Sequence, residues 1–98
     1  MVKHMIIWKL NDGLKDRAAT VAEIKRELEG LVGKIDGLLE MHILTNGMAC
    51  SAGDLMMDSS FTDANALAAY QSHPLHQAIA NGIVCPAVSQ RLSFDYEI

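Results

Sequence analysis

The sequence is poor in the residue types that hold small secreted domains together or that bind nucleic acid. Its two cysteines, Cys50 and Cys85, have no spacing typical of a disulfide framework. It has 8 Lys and Arg against 12 Asp and Glu, whereas a nucleic-acid-binding surface needs clustered basic residues. No run approaches the roughly 18 apolar residues of a membrane span, and the first residues do not resemble a signal peptide. We expect a cytoplasmic protein that binds neither nucleic acid nor membrane, with free thiols that are partly or wholly buried.

Apolar residues, by contrast, are abundant for so short a chain. They make up 50% of its 98 residues, and this length fits a single domain, residues 1–98. A domain of this size buries only about 60–65% of the surface that its unfolded chain exposes, so its stability usually depends on disulfides, a metal or a partner subunit. The excess apolar surface predicts that the chain pairs with a second copy of itself as a homodimer.

Changes in hydrophobic period divide the chain into strands and helices. A strand ends at the Asn11-Asp12-Gly13 turn signal, Thr62 or Asp63 caps the second helical region, and Pro74 starts its second half. The predicted elements are a strand over 2–10, a helix over about 15–32, strands over about 37–46 and 54–61, helical segments over about 63–72 and 74–84, and a strand over 88–97. This β-α-β-β-α-β order predicts a ferredoxin-like α+β fold with a four-stranded antiparallel sheet.

Alternation within the strands predicts which side chains share a face. In the first strand, His4, Ile6, Trp8 and Leu10 form one bulky face. We expect the same alternation to group Leu39, Met41 and Ile43 in the second strand, and Val88, Leu92, Phe94 and Tyr96 in the last. The charged residues of the first helix, Lys25 and Glu29 among them, fit a solvated face. Helices on one side of the sheet leave its other side bare, and two such sheets packed face to face would cover each other.

Three stretches of the sequence resemble a known family. They are Val2–Leu10, Tyr70–His76 (Tyr-Gln-Ser-His-Pro-Leu-His) and Phe94–Tyr96. In combination with the order of elements, they are similar to the stress-responsive A/B barrel family, and the resemblance covers essentially the whole chain. It implies a tight homodimer in which both sheets form a central dimeric α/β barrel.

The resemblance also implies candidate catalytic residues. One plant member of the family is a polyketide cyclase that performs an aldol condensation without a cofactor, and its working residues match His4, Tyr70 and His76 of this sequence. By that resemblance, His76 takes a proton next to a carbonyl while His4 and Tyr70 steady the enolate oxygen. Its position near a helix start would keep His76 neutral near pH 7.

Each of these side chains also has a purely structural interpretation. His4 fits a hydrogen-bonded core histidine, Tyr70 a side chain packed on the sheet, and His76 a brace at the helix junction. His73, which precedes Pro74, fits a cap. The spacing of His73 and His76 is compatible with a metal pair, but no cluster of other ligands completes a set, so we expect no metal and no cofactor.

Three functions therefore stay open. The preferred one is a homodimer that holds a small hydrophobic or phenolic molecule in a cavity between helices and sheet. The expected lining residues are Ile6, Trp8, Ile24, Leu28, Met57 and Ile79. The alternatives are a cofactor-independent, polyketide cyclase-like lyase that uses His4 and His76, and a structural dimer whose cavity is filled by Trp8, a residue larger than the family resemblance implies there. Binding is preferred because Val21, Ile24 and Leu28 replace the aromatic residues that the cyclase carries on its first helix, so a polar anchor is missing.

Overall fold

Four antiparallel strands form one sheet, and the helices lie on one of its faces. The computed structural model describes residues 1–98. Its elements are β1 (Val2–Leu10), α1 (Arg17–Glu29), β2 (Leu38–Leu44), β3 (Leu55–Phe61), α2 (Ala64–Ser72), α3 (Pro74–Ile79), a π-helical turn (Ala80–Val84), the short α4 (Cys85–Ala87) and β4 (Val88–Glu97). The strand order is β2-β3-β1-β4, so the predicted ferredoxin-like fold is confirmed.

Two irregularities in the sheet change the faces that simple alternation predicts. Between Leu38 and Glu40 the register of β2 shifts, so that Leu38 is buried and Leu39 is exposed. In β4, Lys9 of β1 faces Gln90 but Leu10 faces Val88. The predictions that Leu39 lies in the buried set and that Val88 lies on the same face as Leu92 were therefore wrong, because a bulge reverses the side on which the following residues lie.

The core lies between the sheet and the helices. Buried side chains of β1, β2 and β3 meet Ile24 and Leu28 of α1 and Leu67 and Tyr70 of α2 in one hydrophobic cluster. The inner face of β4 contributes little to this cluster, because every residue of that strand after Val88 is exposed. The uncovered stretch of β4 leaves one side of the core accessible, and this is where the candidate site lies.

Side-chain caps and one tight glycine fix the helices on the sheet. The Asp16 carboxylate accepts from the Ala19 amide at 3.0 Å, and the Asp63 carboxylate accepts from the Ala66 amide at 2.8 Å. Gly37 precedes β2 with a φ of +85°, and a Cβ there would come within 2.5 Å of the Ala66 Cβ. Only glycine therefore allows α2 to approach the start of β2 this closely.

The charged face of α1 is not simply solvated, which corrects the sequence-based interpretation. Lys25 pairs with Glu29 at 2.8 Å, and both bind the backbone of the edge strand β2. The Lys25 ammonium donates to the Ile43 carbonyl at 3.0 Å, while the Glu29 carboxylate accepts from the Ile43 amide at 2.9 Å. These bonds satisfy backbone groups that the edge of a sheet would otherwise leave unpaired.

The opposite face of the sheet is uncovered and carries an apolar patch near its β1–β4 edge. Leu92 is 74% exposed and Phe94 is 69% exposed, and Ile7 lies directly across from Leu92 on β1. Both cysteines are also exposed, free thiols, so the expectation that they are buried was wrong. None of the helices has the length and apolar character needed to cross a membrane.

Candidate functional site

A cavity of about 110 Å³, partly open to solvent, lies between the inner face of the sheet and the helical segments. The sheet contributes His4, Ile6, Trp8, Met57, Val88 and Arg91 to its wall. The helices contribute Leu28, Tyr70, Gln71, His76, Ala80, Val84 and Cys85. The π-helical turn supplies two of these helical residues, and such turns frequently occur at functional sites. The lining is mostly apolar with a few polar groups, which is the usual composition of a small-molecule site.

The structure brings most of the predicted site residues to this cavity. His4, Tyr70 and His76 all line it, as do Ile6, Trp8, Leu28 and Met57. Ile24 and Ile79 do not. Ile24 lies one turn before Leu28 in α1 and is fully enclosed in the core, and Ile79 is likewise a buried core residue. For these two positions, helical periodicity identified the buried face but could not identify which part of that face borders the cavity.

His4 is held by a carboxylate that the sequence reasoning did not assign. The imidazole is buried, and its Nδ1 is hydrogen-bonded to a carboxylate oxygen of Asp95, the residue directly opposite on β4. Since the carboxylate accepts the Nδ1 proton, the neutral ring keeps the lone pair of Nε2 free to accept a hydrogen bond. The sequence alone did not identify this pair, because the pairing depends on the register of β1 against β4.

Tyr70 and His76 pack against each other on the helical side. Their ring centroids are 4.2 Å apart. The Tyr70 side chain is buried and its hydroxyl has no hydrogen-bond partner. Burial raises the pKa of the Tyr70 phenol well above its usual range, so the hydroxyl stays protonated and is a hydrogen-bond donor.

His76 is kept in its neutral form chiefly by burial. Desolvation lowers the pKa of the imidazole, a hydrogen bond with the Gln71 carbonyl raises it, and the nearby His4 and Arg91 lower it further. The sequence-based explanation, a helix N-terminus, therefore gives way to desolvation as the main cause. The distance between Nδ1 and the Gln71 oxygen is 3.3 Å, and a proton donated from Nδ1 leaves Nε2 as the basic nitrogen.

Trp8 forms part of the cavity wall. Its side chain is 3% exposed, and its indole nitrogen is buried without a hydrogen-bond partner. Buried donors in proteins are nearly always paired. Trp8 and Tyr70 thus both line the mostly apolar cavity, and each buries a donor that has no partner in the protein.

Arg91 is the charged residue that sequence reasoning missed. It lies directly opposite Trp8 on β4, lines the cavity and is exposed. One signal in the sequence was missed. Arg91 lies four residues before Asp95, and side chains an even number of residues apart lie on the same side of a strand.

Neither the remaining histidines nor the cysteines form a metal site. His73 caps α3, with its Nδ1 accepting from the Leu75 amide at 3.1 Å. Nowhere in the structure do three or more His, Cys, Asp or Glu side chains come together in an arrangement that could hold a metal ion.

Comparison with known proteins places these features in a family. The model of the stress responsive A/B barrel domain matches residues 2–98. An uncharacterized protein of Streptomyces coelicolor is 34% identical over 80 residues, which cover 80% of this chain and 81% of that protein. A dimeric protein of unknown function and ferredoxin-like fold from Bacteroides fragilis has a TM-score of 0.88 at 25% identity, covering 99% of this chain and 95% of that one. The hydroxynitrile lyase of Passiflora edulis has a TM-score of 0.79 at 16% identity, and the match covers 99% of this chain and 92% of that one.

Proposed function

We propose that this chain, which belongs to the stress responsive A/B barrel domain family, is a homodimer that binds a small, largely apolar molecule in the cavity between helices and sheet. The observation that carries this proposal is a mostly apolar cavity whose wall includes Trp8 and Tyr70, two side chains with buried donors that have no partner in the protein. A bound molecule with an acceptor oxygen satisfies such donors and gains from burial of its apolar part at the same time.

The size of the cavity limits the class of ligand. A water needs only about 10–15 Å³ of such space, and an engineered apolar cavity of about 150 Å³ binds benzene. The volume of about 110 Å³, open on one side, therefore fits a molecule of about one ring whose polar end reaches the mouth. Cavity walls from β1, α1 and the π-helical turn would exclude larger rigid ligands.

The uncovered face of the sheet supports the dimer. Ile7, Leu92 and Phe94 lie side by side there and are largely exposed. Contiguous apolar surface of this kind usually marks an interface, and two sheets can pack face to face at about 10 Å separation. The Bacteroides fragilis relative, described as dimeric, supports the same assembly for this chain.

Native mass spectrometry of gently purified protein tests the binding. We expect twice the mass of the chain with an additional small mass that denaturation releases. The Ala80→Phe variant fills the cavity and should lose the added mass. Ala78→Phe, at an exposed position on the adjoining helix α3 and outside the cavity, should retain it. An added mass that survives Ala80→Phe would place the ligand elsewhere, and a monomer would overturn the dimer.

Proton transfer without a cofactor is a second candidate, favoured by the bond between His4 and Asp95. In this candidate the His76 Nε2 removes a proton from carbon next to a carbonyl, and the Tyr70 hydroxyl donates to the enolate oxygen. His4, oriented by Asp95, accepts a hydrogen bond and positions the substrate. General base catalysis of this kind typically accelerates a reaction by about 10²–10⁴-fold. The Passiflora edulis protein is a lyase, and at its low identity that relationship shows the fold alone.

Hydrogen–deuterium exchange at an activated carbon separates the two candidates. We expect the protein to accelerate exchange of the central protons of 2,4-pentanedione in heavy water over buffer alone. His76→Gln should remove the acceleration, while His73→Gln, which changes a histidine that caps α3, should keep it. Exchange no faster than in buffer would refute the enzymatic candidate and leave ligand binding intact.

A further inference from the structure

We propose that Arg91 and Trp8 together bind a carboxylate at the mouth of the cavity, so that the ligand is a small organic acid with an apolar body. The inference rests on the proposed function, since it assigns the charged end of the molecule that the cavity holds. Trp8 and Arg91 are cross-strand neighbours on β1 and β4, and both line the cavity. Both side chains therefore border the same cavity from adjacent strands, Arg91 exposed and Trp8 buried.

The charges around the cavity favour an anion. Its lining contains an arginine and two histidines but neither Asp nor Glu. Arg91 takes part in none of the ion pairs of the protein, although the chain as a whole carries a net charge of −4. An unpaired guanidinium in an acidic protein gives this opening a local positive potential that attracts organic anions.

The positions of the neighbouring groups agree with this assignment. Asp95, the acidic residue four positions further along β4, is engaged by His4. A strand rises about 3.4 Å per residue, so the backbones of Arg91 and Asp95 are about 13–14 Å apart. Burial raises the pKa of Tyr70 and lowers the pKa of His76, and the Arg91 charge opposes the first shift and adds to the second. Arg91 thus faces the reactive side chains of the cavity and not an acidic partner.

The shape of a carboxylate suits the two donors. An arginine guanidinium presents a planar fork of N–H groups that matches the two oxygens of a carboxylate. The indole of Trp8 is a donor only, and its buried N–H has no partner within the protein. A carboxylate accepts from both, while the apolar body of the ligand lies against side chains such as Ile6 and Met57. A neutral amide of the same size keeps the apolar contacts but loses the charge-assisted bond.

Calorimetric titration of the intact protein with benzoate and with benzamide tests the assignment. We expect benzoate to bind at least about tenfold more tightly than benzamide, because hydrogen bonds to charged groups are the stronger ones. Arg91→Gln should weaken benzoate binding about tenfold and leave benzamide unchanged, and Arg91→Lys should restore part of the affinity. Arg26→Gln, which removes an equal charge from an exposed site on α1, should change neither. Benzoate should also alter the emission of Trp8, the one tryptophan of the chain.

The outcomes distinguish this inference from the function on which it rests. Equal binding of benzoate and benzamide, unchanged by Arg91→Gln, would overturn the carboxylate site while supporting the apolar cavity. Tighter binding of benzamide would also overturn it. Binding of neither probe would count against the carboxylate site and the single-ring cavity ligand together. Benzoate binding lost equally in Arg91→Gln and Arg26→Gln would show a general charge effect and so refute the specific role of Arg91.

Discussion

His4 and Asp95 face each other across β1 and β4, and the buried imidazole is hydrogen-bonded to the exposed carboxylate. The bond connects the enclosed core to the one strand whose inner face the helices leave uncovered. Because β4 is an edge strand, this contact also fixes it against β1 at the rim of the cavity. The pair thus has a structural consequence that can be measured independently of any activity.

Asp95→Ala should destabilise the protein by about 1–3 kcal/mol, since it leaves a buried imidazole N–H without its acceptor. Asp95→Asn should cost less, because the amide oxygen can still accept that hydrogen bond. The measurement is urea unfolding at a fixed protein concentration. Glu97→Ala, two residues further on the same side of β4, is the control and should change the free energy of unfolding by no more than about 0.5 kcal/mol. If Asp95→Ala lowers the free energy of unfolding by no more than the control does, the hydrogen bond between His4 and Asp95 is not formed in solution.

Gly37 is predicted to be irreplaceable for a steric reason that Gly33 does not share. Both glycines have positive φ, but a Cβ at Gly37 would meet the Ala66 Cβ, whereas a Cβ at Gly33 would meet nothing within 4 Å. Gly33→Ala should therefore lower the free energy of unfolding by about 1 kcal/mol, from backbone strain alone. Gly37→Ala should lower it clearly more, because α2 must also move away from the sheet. Equal losses in urea unfolding would contradict the close approach of α2.

The sequence was sufficient for the order of elements because the hydrophobic period changes from one element to the next, although α1 ends at Glu29 and not near residue 32 as predicted. Pro74 and the Asp63 cap define the second helical region, and the structure places both as expected. The buried face of each strand was harder to predict, since a single bulged residue in β2 or β4 reverses which side chains are buried. Such bulges depend on how two strands meet and leave no mark in the hydrophobic pattern of either strand alone.

Residues of the candidate site could be predicted only where they lie in one of the stretches that resemble the family. His4, Tyr70 and His76 lie in such stretches and all line the cavity. The partners that define their environment come from pairing across the sheet, as Asp95 does for His4 and Arg91 does for Trp8. The register of β1 on β4 was not known from the sequence, so neither of these two partners was identified there.

Leu92 on the uncovered face of the sheet should determine the oligomeric state. Leu92→Glu places a charge in the centre of the proposed dimer interface, where burial without a partner is costly, and should shift the protein toward monomer. Ser93→Glu, the next residue on the opposite side of the same strand, introduces the same charge outside that interface and should leave the dimer intact. Size-exclusion chromatography with light scattering gives the masses. A dimer that persists in Leu92→Glu would place the interface on another surface.

The depressed pKa of His76 should make the protein less stable in mild acid. Burial disfavours the protonated imidazole in the folded state, whereas the unfolded chain takes up the proton at about pH 6.5. Between the folded and unfolded pKa values the unfolded state therefore binds more protons, and linkage requires the free energy of unfolding to fall as the pH falls through this range. The fall begins near pH 6.5 and ends below the folded pKa, where both states are protonated.

Urea unfolding of the wild type and of His76→Gln between pH 8 and pH 5 isolates this contribution from the other titrating groups. The variant lacks the titrating ring, so its free energy of unfolding should decrease less over the acidic part of the range. Ala78→Gln, an exposed and non-titrating change on the same helix, should retain the wild-type slope. Identical slopes for the wild type and His76→Gln would mean that the imidazole is as accessible to protons in the folded state as in the unfolded chain, and would remove the physical basis for treating His76 as a neutral base.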